Sequence, residues 1–265
     1  MQTCSTLGSM TSGVTDARPL QVRVADDVRL KIETCQWPPG HRLPTYDELA
    51  VMYGCSLAVV RKAVDLLKQE GLIVTAQGSG TFVRQRAVAR RHGIERYARS
   101  RWSTGQAVLV AEAQAQGRTA GQRIRELTEV PAPPVVAERF SIEAGTPVWV
   151  RRRTTLIDGR PNQLADSYYE LDVVRGTRIM EEDTGPGGGF ARLEEKGVRL
   201  DRISEELMAR MPSGPEVAAL QLPPGTPVID LTRTTYDADG KAVEVMVSVL
   251  AGDMASFCYD FPIPD

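Results

Sequence analysis

Seven arginines, at positions 84, 86, 90, 91, 96, 99 and 101, lie between Arg84 and Trp102 with a single acid, Glu95, among them. A guanidinium stays charged at every physiological pH and forks two donors toward a phosphate or carboxylate, so such a run suits a polyanion. Arg61 and Lys62 form a second cationic pair inside an amphipathic stretch. Arg151 and Arg153 stand two apart in an alternating stretch, which places both on one strand face. That placement holds whatever they do, so a plain strand-surface reading stays open beside an anion-binding one. Gly185-Pro186-Gly187-Gly188-Gly189 could present amides to an anion, yet it lacks the framework of a P-loop or a dinucleotide turn, and a flexible loop is the plainer reading. His41 and His92 are the only histidines, both in the first half, and no nucleophile, base or metal constellation can be assembled in the second. Catalysis, a metal and a cofactor are therefore not expected. Cys4, Cys35, Cys55 and Cys258 are scattered without a CxxC, which argues against zinc and disulfides and fits a reducing cytoplasm.

The 265 residues suit two domains of ordinary size. No apolar run approaches the ~20 residues that span a bilayer, so membrane insertion is not expected. Residues 1–104 carry 15 Lys+Arg against 9 Asp+Glu, a net of +6, whereas residues 105–265 carry 17 against 25, a net of −8. A basic half joined to an acidic half fits one module that meets nucleic acid and one that does not, beside the plainer reading of uneven solvated charge. Four segments follow: a disordered leader at 1–17, a small helical domain at 18–85, a basic linker at 86–104 and a second domain at 105–265. The linker is expected to join two rigid bodies, its arginines either adding phosphate contacts or simply solvated, two readings that stay open alike, with Tyr97 and Trp102 packing its later half.

Leu20, Val24, Val28 and Ile32 recur every four residues, an amphipathic helix that must stop before Pro38-Pro39-Gly40. Thr45 with Glu48 reads as a capping box opening a short helix that Gly54 breaks. Ser56 caps a third helix with Val59, Val60, Ala63, Val64, Leu66 and Leu67 inside and Arg61, Lys62 and Lys68 outside; it ends at Glu70-Gly71. Two β-prone stretches, Leu72 to Ala76 and Thr81 to Arg84, flank Gln77-Gly78-Ser79-Gly80 as a hairpin wing. In this order the pieces make a winged helix-turn-helix. The stretch Pro38-Pro39-Gly40-His41-Arg42-Leu43-Pro44, with Glu48-Leu49-Ala50, Arg61-Lys62-Ala63, Glu70-Gly71-Leu72 and Gly78-Ser79-Gly80-Thr81-Phe82-Val83, resembles the GntR family of bacterial regulators over residues 19 to 84. The resemblance implies DNA contacts from Arg42, Thr45, Tyr46, Ser56, Arg61, Lys62, Gln77, Gly78, Ser79 and Gly80. Asp47 and Leu57 stand where the family commonly has arginines.

From about Gly105 strands take over, with Ala107 to Gln116 and Gln122 to Val130 reading as two of them. An echo at an offset of 80 follows. Gly145-Thr146-Pro147-Val148 recurs as Gly225-Thr226-Pro227-Val228, and Arg153-Thr154-Thr155 as Arg233-Thr234-Thr235, seven identities in eleven positions. Each copy follows a short helical segment (Pro134 to Arg139; Pro215 to Leu220) and leads through Asp158-Gly159-Arg160 or Asp239-Gly240-Lys241 into another strand. Two related hairpins imply one antiparallel sheet, an α+β fold. With Asp166-Ser167-Tyr168-Tyr169 and Val243-Glu244-Val245 this half resembles the UTRA domain, a chorismate lyase-like antiparallel sheet with flanking helices, and the whole chain resembles the HutC branch of the GntR family. The resemblance implies a cytoplasmic homodimer on a palindromic double-stranded DNA operator. A small polar or anionic effector would be held by Arg151, Arg153, Ser167, Tyr169 and Glu244 and would release a repressor. Leu250 stands where sugar-phosphate-binding relatives often have Tyr. The alternative is a ligand-independent DNA-binding regulator whose second domain only dimerises.

Overall fold

The computed structural model describes residues 17–76, 78–85, 89–93, 95–103, 108–261 and 263. Nearly all of the expected leader, and Gln77 at the wing, lie outside the described residues. The chain divides into two compact units, the first built chiefly from the described residues up to 85 and the second from those beyond 88.

In the first unit the local signals set the element ends. Helix α1 (Leu20–Glu33) buries Val24, Ala25 and Val28. Helix α2 (Tyr46–Tyr53) opens on a complete capping box: Thr45 Oγ1 accepts from the Glu48 amide at 3.3 Å, and the Glu48 carboxylate accepts from the Thr45 amide at 2.7 Å. Gly54, at φ 59°, ends it in the left-handed conformation that glycine adopts without steric cost. Ser56 caps α3 (Leu57–Gln69), whose Val60, Ala63, Val64 and Leu67 face inward. Strands β1 (Ile73–Ala76) and β2 (Gly80–Val83) pair as the antiparallel wing. Leu43, Leu49, Ile73 and Val83 join the helices in one core.

The second unit begins with β3 (Ala89–His92), which runs parallel to β10 (Ala255–Cys258). A 3₁₀ turn (Glu95–Tyr97), α4 (Arg99–Ser103) and α5 (Val108–Ala115) follow. Next come β4 (Ala120–Pro131), α6 (Pro134–Phe140), β5 (Pro147–Ile157), β6 (Arg160–Glu170) and the short α7 (Leu171–Val174). The remainder is α8 (Gly188–Glu195), β7 (Leu200–Arg210), α9 (Gly214–Leu220), β8 (Val228–Asp237) and β9 (Ala242–Ala251). Six strands form one antiparallel sheet in the order β4-β5-β6-β9-β8-β7. The 80-residue echo is structural and reaches beyond the two hairpins: α5-β4-α6-β5-β6 and α8-β7-α9-β8-β9 are equivalent halves joined along the β6–β9 seam. Asp158 and Gly159, both at positive φ, make the two-residue turn of the first hairpin.

Two expectations change. The stretch expected as a strand from Ala107 to Gln116 is helical over Val108–Ala115, the mate of α8. Its apparent alternation came from alanines, which carry no β-branch and favour helix. Within the expected linker the described residues form β3, a 3₁₀ turn and α4, and Arg91 and Arg96 are buried in the second unit. Those two guanidiniums are therefore withdrawn from any phosphate backbone. Among the described residues no helix is long and apolar enough to cross a membrane.

Leu67 is 1% exposed at the centre of the first core. Leu67→Ala is expected to destabilise the first unit by about 2–5 kcal/mol, read as an earlier urea transition while the second unit's transition stays in place.

Candidate functional site

Register decides what one face of the sheet displays. On β5 and β6, Trp149, Arg151, Arg153 and Thr155 stand opposite Tyr169, Ser167, Ala165 and Gln163. On β8 and β9, Arg233 and Thr235 stand opposite Met246 and Glu244. A cavity of about 170 Å³ opens over this face. Val108 and Leu109 of α5, Gly187 to Phe190 at the start of α8, and Arg91 and Arg96 complete its wall.

Five arginines line this cavity, at 91, 96, 151, 153 and 233, with Glu244 as the one lining carboxylate. Arg233 Nη2 donates to Glu244 at 2.7 Å, and the Tyr169 hydroxyl donates to the same carboxylate at 2.8 Å. Arg96 pairs with Glu112 at 3.2 Å, outside the cavity lining. Among the described residues no carboxylate lies within ion-pair distance of Arg91, Arg151 or Arg153. Arg91 donates to the Gln163 amide oxygen at 2.7 Å and Arg153 to the Ser167 hydroxyl at 3.1 Å, both neutral partners. Burial, with Arg96 next in weight, pushes the Arg91 guanidinium down to about 10. Burial likewise lowers Arg153, and burial followed by the charge of Arg153 lowers Arg151. Glu244 behaves in the opposite sense: burial would raise it, and Arg233 and Arg153 hold it below the ordinary carboxylate range. The cavity thus holds an excess of positive charge in a poorly solvated place, which an anionic ligand would neutralise.

The five residues expected to hold an effector are brought together, in different capacities. Arg153, Tyr169 and Glu244 line the cavity. Arg151 lines it too, but its guanidinium already donates to the backbone carbonyls of Glu181 and Glu182, tying down the segment before the glycine loop. Ser167 is fully buried and acts as the acceptor that orients Arg153. Reading the sequence missed Arg91, Arg96, Arg233 and Gln163. The repeat could have found Arg233, the mate of Arg153 at an offset of 80. The glycine loop, read as a flexible segment, contributes Gly187 to Gly189 to the wall at the first turn of α8, where amides carry partial positive charge.

In the first unit the expected DNA residues separate in the same way. Arg61 and Lys62 are exposed on α3, one turn in from its start, and no described side chain pairs with either. Thr45 and Ser56 are exposed with their hydroxyls engaged as helix caps. Tyr46 is half-buried against the core. Gly78 and Ser79 are exposed at the wing tip. Gly80 has φ 114°, a conformation that side-chain-bearing residues rarely adopt, and the exposed Arg42 guanidinium lies alongside it.

A second, larger cleft of about 690 Å³ runs along β7, walled by Tyr97, Trp102, Phe190 and Ile203. Its carboxylate Glu205 accepts from the hydroxyls of Tyr97 and Tyr259 and lies 3.9 Å from the Arg96 guanidinium, so its charge is opposed by a cation, unlike those of Arg91, Arg151 and Arg153. Among the described residues no cluster of His, Cys, Asp and Glu could hold a metal.

Comparison with known proteins agrees with this two-part construction. The model of bacterial regulatory proteins, gntR family, matches residues 20–83, and the UTRA domain model matches residues 115–256. An uncharacterized HTH-type transcriptional regulator of Streptomyces coelicolor is 36% identical over 248 residues, covering 91% of this chain and 92% of that protein. A crystal structure of a putative GntR-family transcriptional regulator superposes with a TM-score of 0.63 at 30% identity, covering 93% of this chain and 99% of that one. PhnF from Mycobacterium smegmatis shares the fold, with a TM-score of 0.57 at 22% identity over 91% of this chain and 99% of its own.

Glu244→Gln removes the one lining carboxylate and leaves Arg233 without its ion pair. The variant is expected to lose about 3–5 kcal/mol of stability, and inorganic phosphate is expected to raise its melting temperature more than it raises that of the unaltered protein. Thermal unfolding across a phosphate titration reads both effects.

Proposed function

The chain belongs to the GntR family of bacterial regulatory proteins and carries a UTRA domain, and on that footing we propose that it is a cytoplasmic, homodimeric repressor released from its operator by a small anion. The observation that carries the ligand-responsive reading is a trio of cavity guanidiniums, the buried Arg91 and Arg151 and the half-buried Arg153, without carboxylate partners among the described residues. A domain serving only to dimerise has no physical need for such a cluster, because unpaired buried charge destabilises the fold. Arg153 and the amides of Gly187 and Gly189 hold the anion in this reading, while Glu244 and Tyr169 select whatever polar group accompanies it. Arg91 belongs to β3, the first strand of the second unit, so an anion bound beside it acts on the segment through which the chain enters that unit.

On DNA, a dimer would set two copies of α3 into successive major grooves of a palindromic site, with each wing along the backbone. The effector favours a conformation in which the two helices no longer match the half-sites. It can shift the equilibrium only by its differential affinity for the two conformations, typically about 1–3 kcal/mol. No catalytic role is assigned to the second domain, since a fold shared with a lyase does not confer lyase chemistry. The ligand-independent alternative predicts operator binding that no small anion relieves.

Electrophoretic mobility shifts with the chain's own promoter DNA, over a salt series and with a panel of small phosphates and carboxylates, test the proposal. Arg61→Ala is expected to weaken operator binding by at least tenfold. Arg153→Gln is expected to leave operator binding intact and abolish release by the anion. Asp47→Arg, which replaces an acid on α2 with a phosphate partner, is expected to tighten binding to any duplex and to steepen the plot of log affinity against log salt by about one unit per protomer.

A further inference from the structure

Leu57 is the first residue of α3, directly after its cap Ser56, and is 40% exposed. A helix of this kind normally turns its apolar residues inward, as Val60, Ala63, Val64 and Leu67 do here. Leu57 departs from that face. It stands one turn before Arg61, with exposed Ala58 one turn before exposed Lys62, so the outer face of α3 is apolar in its first turn and cationic in its second. The preceding helix adds no cation there. Its first turn carries Asp47 and Glu48, and its end exposes Val51 at 84% and Met52 at 53%.

The first turn of the second helix is the part of a helix-turn-helix that meets base edges. A leucine there can neither donate to guanine O6 and N7 nor accept from cytosine N4. The major groove offers one apolar group, the C5 methyl of thymine. We infer that Leu57 reads a thymine through that methyl, one turn ahead of the contact made by Arg61, and so sets the base preference of this operator at that position. The inference rests on the first unit being the DNA-binding module. It names a base where that reading names only a duplex.

Selection of duplexes from a random pool by the full-length protein gives the preferred site, and each thymine of that site is then replaced in turn by deoxyuridine, which removes only the methyl. One thymine per half-site is expected to show weaker binding on replacement, by about three- to fivefold, the effect of one methyl kept from water. Leu57→Ala, at an exposed position where alanine favours helix, is expected to lose a similar factor on the thymine duplex and to bind the thymine and deoxyuridine duplexes equally. Leu57→Arg is expected to select guanine at that position. A flat replacement series, or a sensitive thymine that stays equally sensitive in Leu57→Ala, would overturn the thymine contact alone. A pool from which no sequence is enriched would overturn the DNA-binding reading and this inference with it.

Discussion

Guanidinium groups are costly to take out of water, and the second unit takes several out at once. Arg91, Arg151 and Arg153 converge on one cavity whose single lining carboxylate, Glu244, is already held by Arg233 and Tyr169. The fold tolerates this by giving each arginine a neutral acceptor: a glutamine oxygen, a serine hydroxyl, or backbone carbonyls. Such acceptors satisfy the N–H groups without cancelling the charge. The same arrangement leaves the cavity with an excess of positive charge that an anion would neutralise.

The internal repeat explains how that concentration of charge arose on one face. Each half supplies a hairpin with an arginine at the same place, Arg153 in one and Arg233 in the other, and the β6–β9 seam brings both over the same surface. The halves then differ where it matters. The partner of Thr155 across its hairpin is Gln163, whereas the partner of Thr235 is Glu244, so one arginine keeps a carboxylate and the other does not. Arg151 has Leu231 as its mate at the same offset, which adds a cation to the first half only. Symmetry builds the platform, and departures from it place the charge.

The first unit works by contrast through local chemistry. A capping box, a left-handed glycine and a serine cap fix the ends of α2 and the start of α3, which sets the angle at which Leu57, Arg61 and Lys62 leave the surface. Its core of aliphatic side chains and Trp37 holds those helices against the wing, so the exposed face of α3 is presented from a packed support.

Sequence alone determined the features governed by neighbours a few residues apart: the helices and caps of the first unit, the wing, the paired hairpins and their glycine turns. In those cases the hydrogen bond or apolar row that defines the element lies within one turn or one alternation. The repeat further implied a single antiparallel sheet. Tertiary structure alone decided that Arg91 and Arg96 turn inward while Arg90 of the same run is exposed, that the alanine-rich stretch after it is a helix, and that the glycine loop walls a cavity. It also decided that Arg151 and Ser167 position their neighbours while Arg153 faces the opening. Those outcomes depend on strand register and on packing between residues as far apart as Arg91 and Gln163, and no pattern of residue types along the chain encodes which of several arginines a distant glutamine will meet.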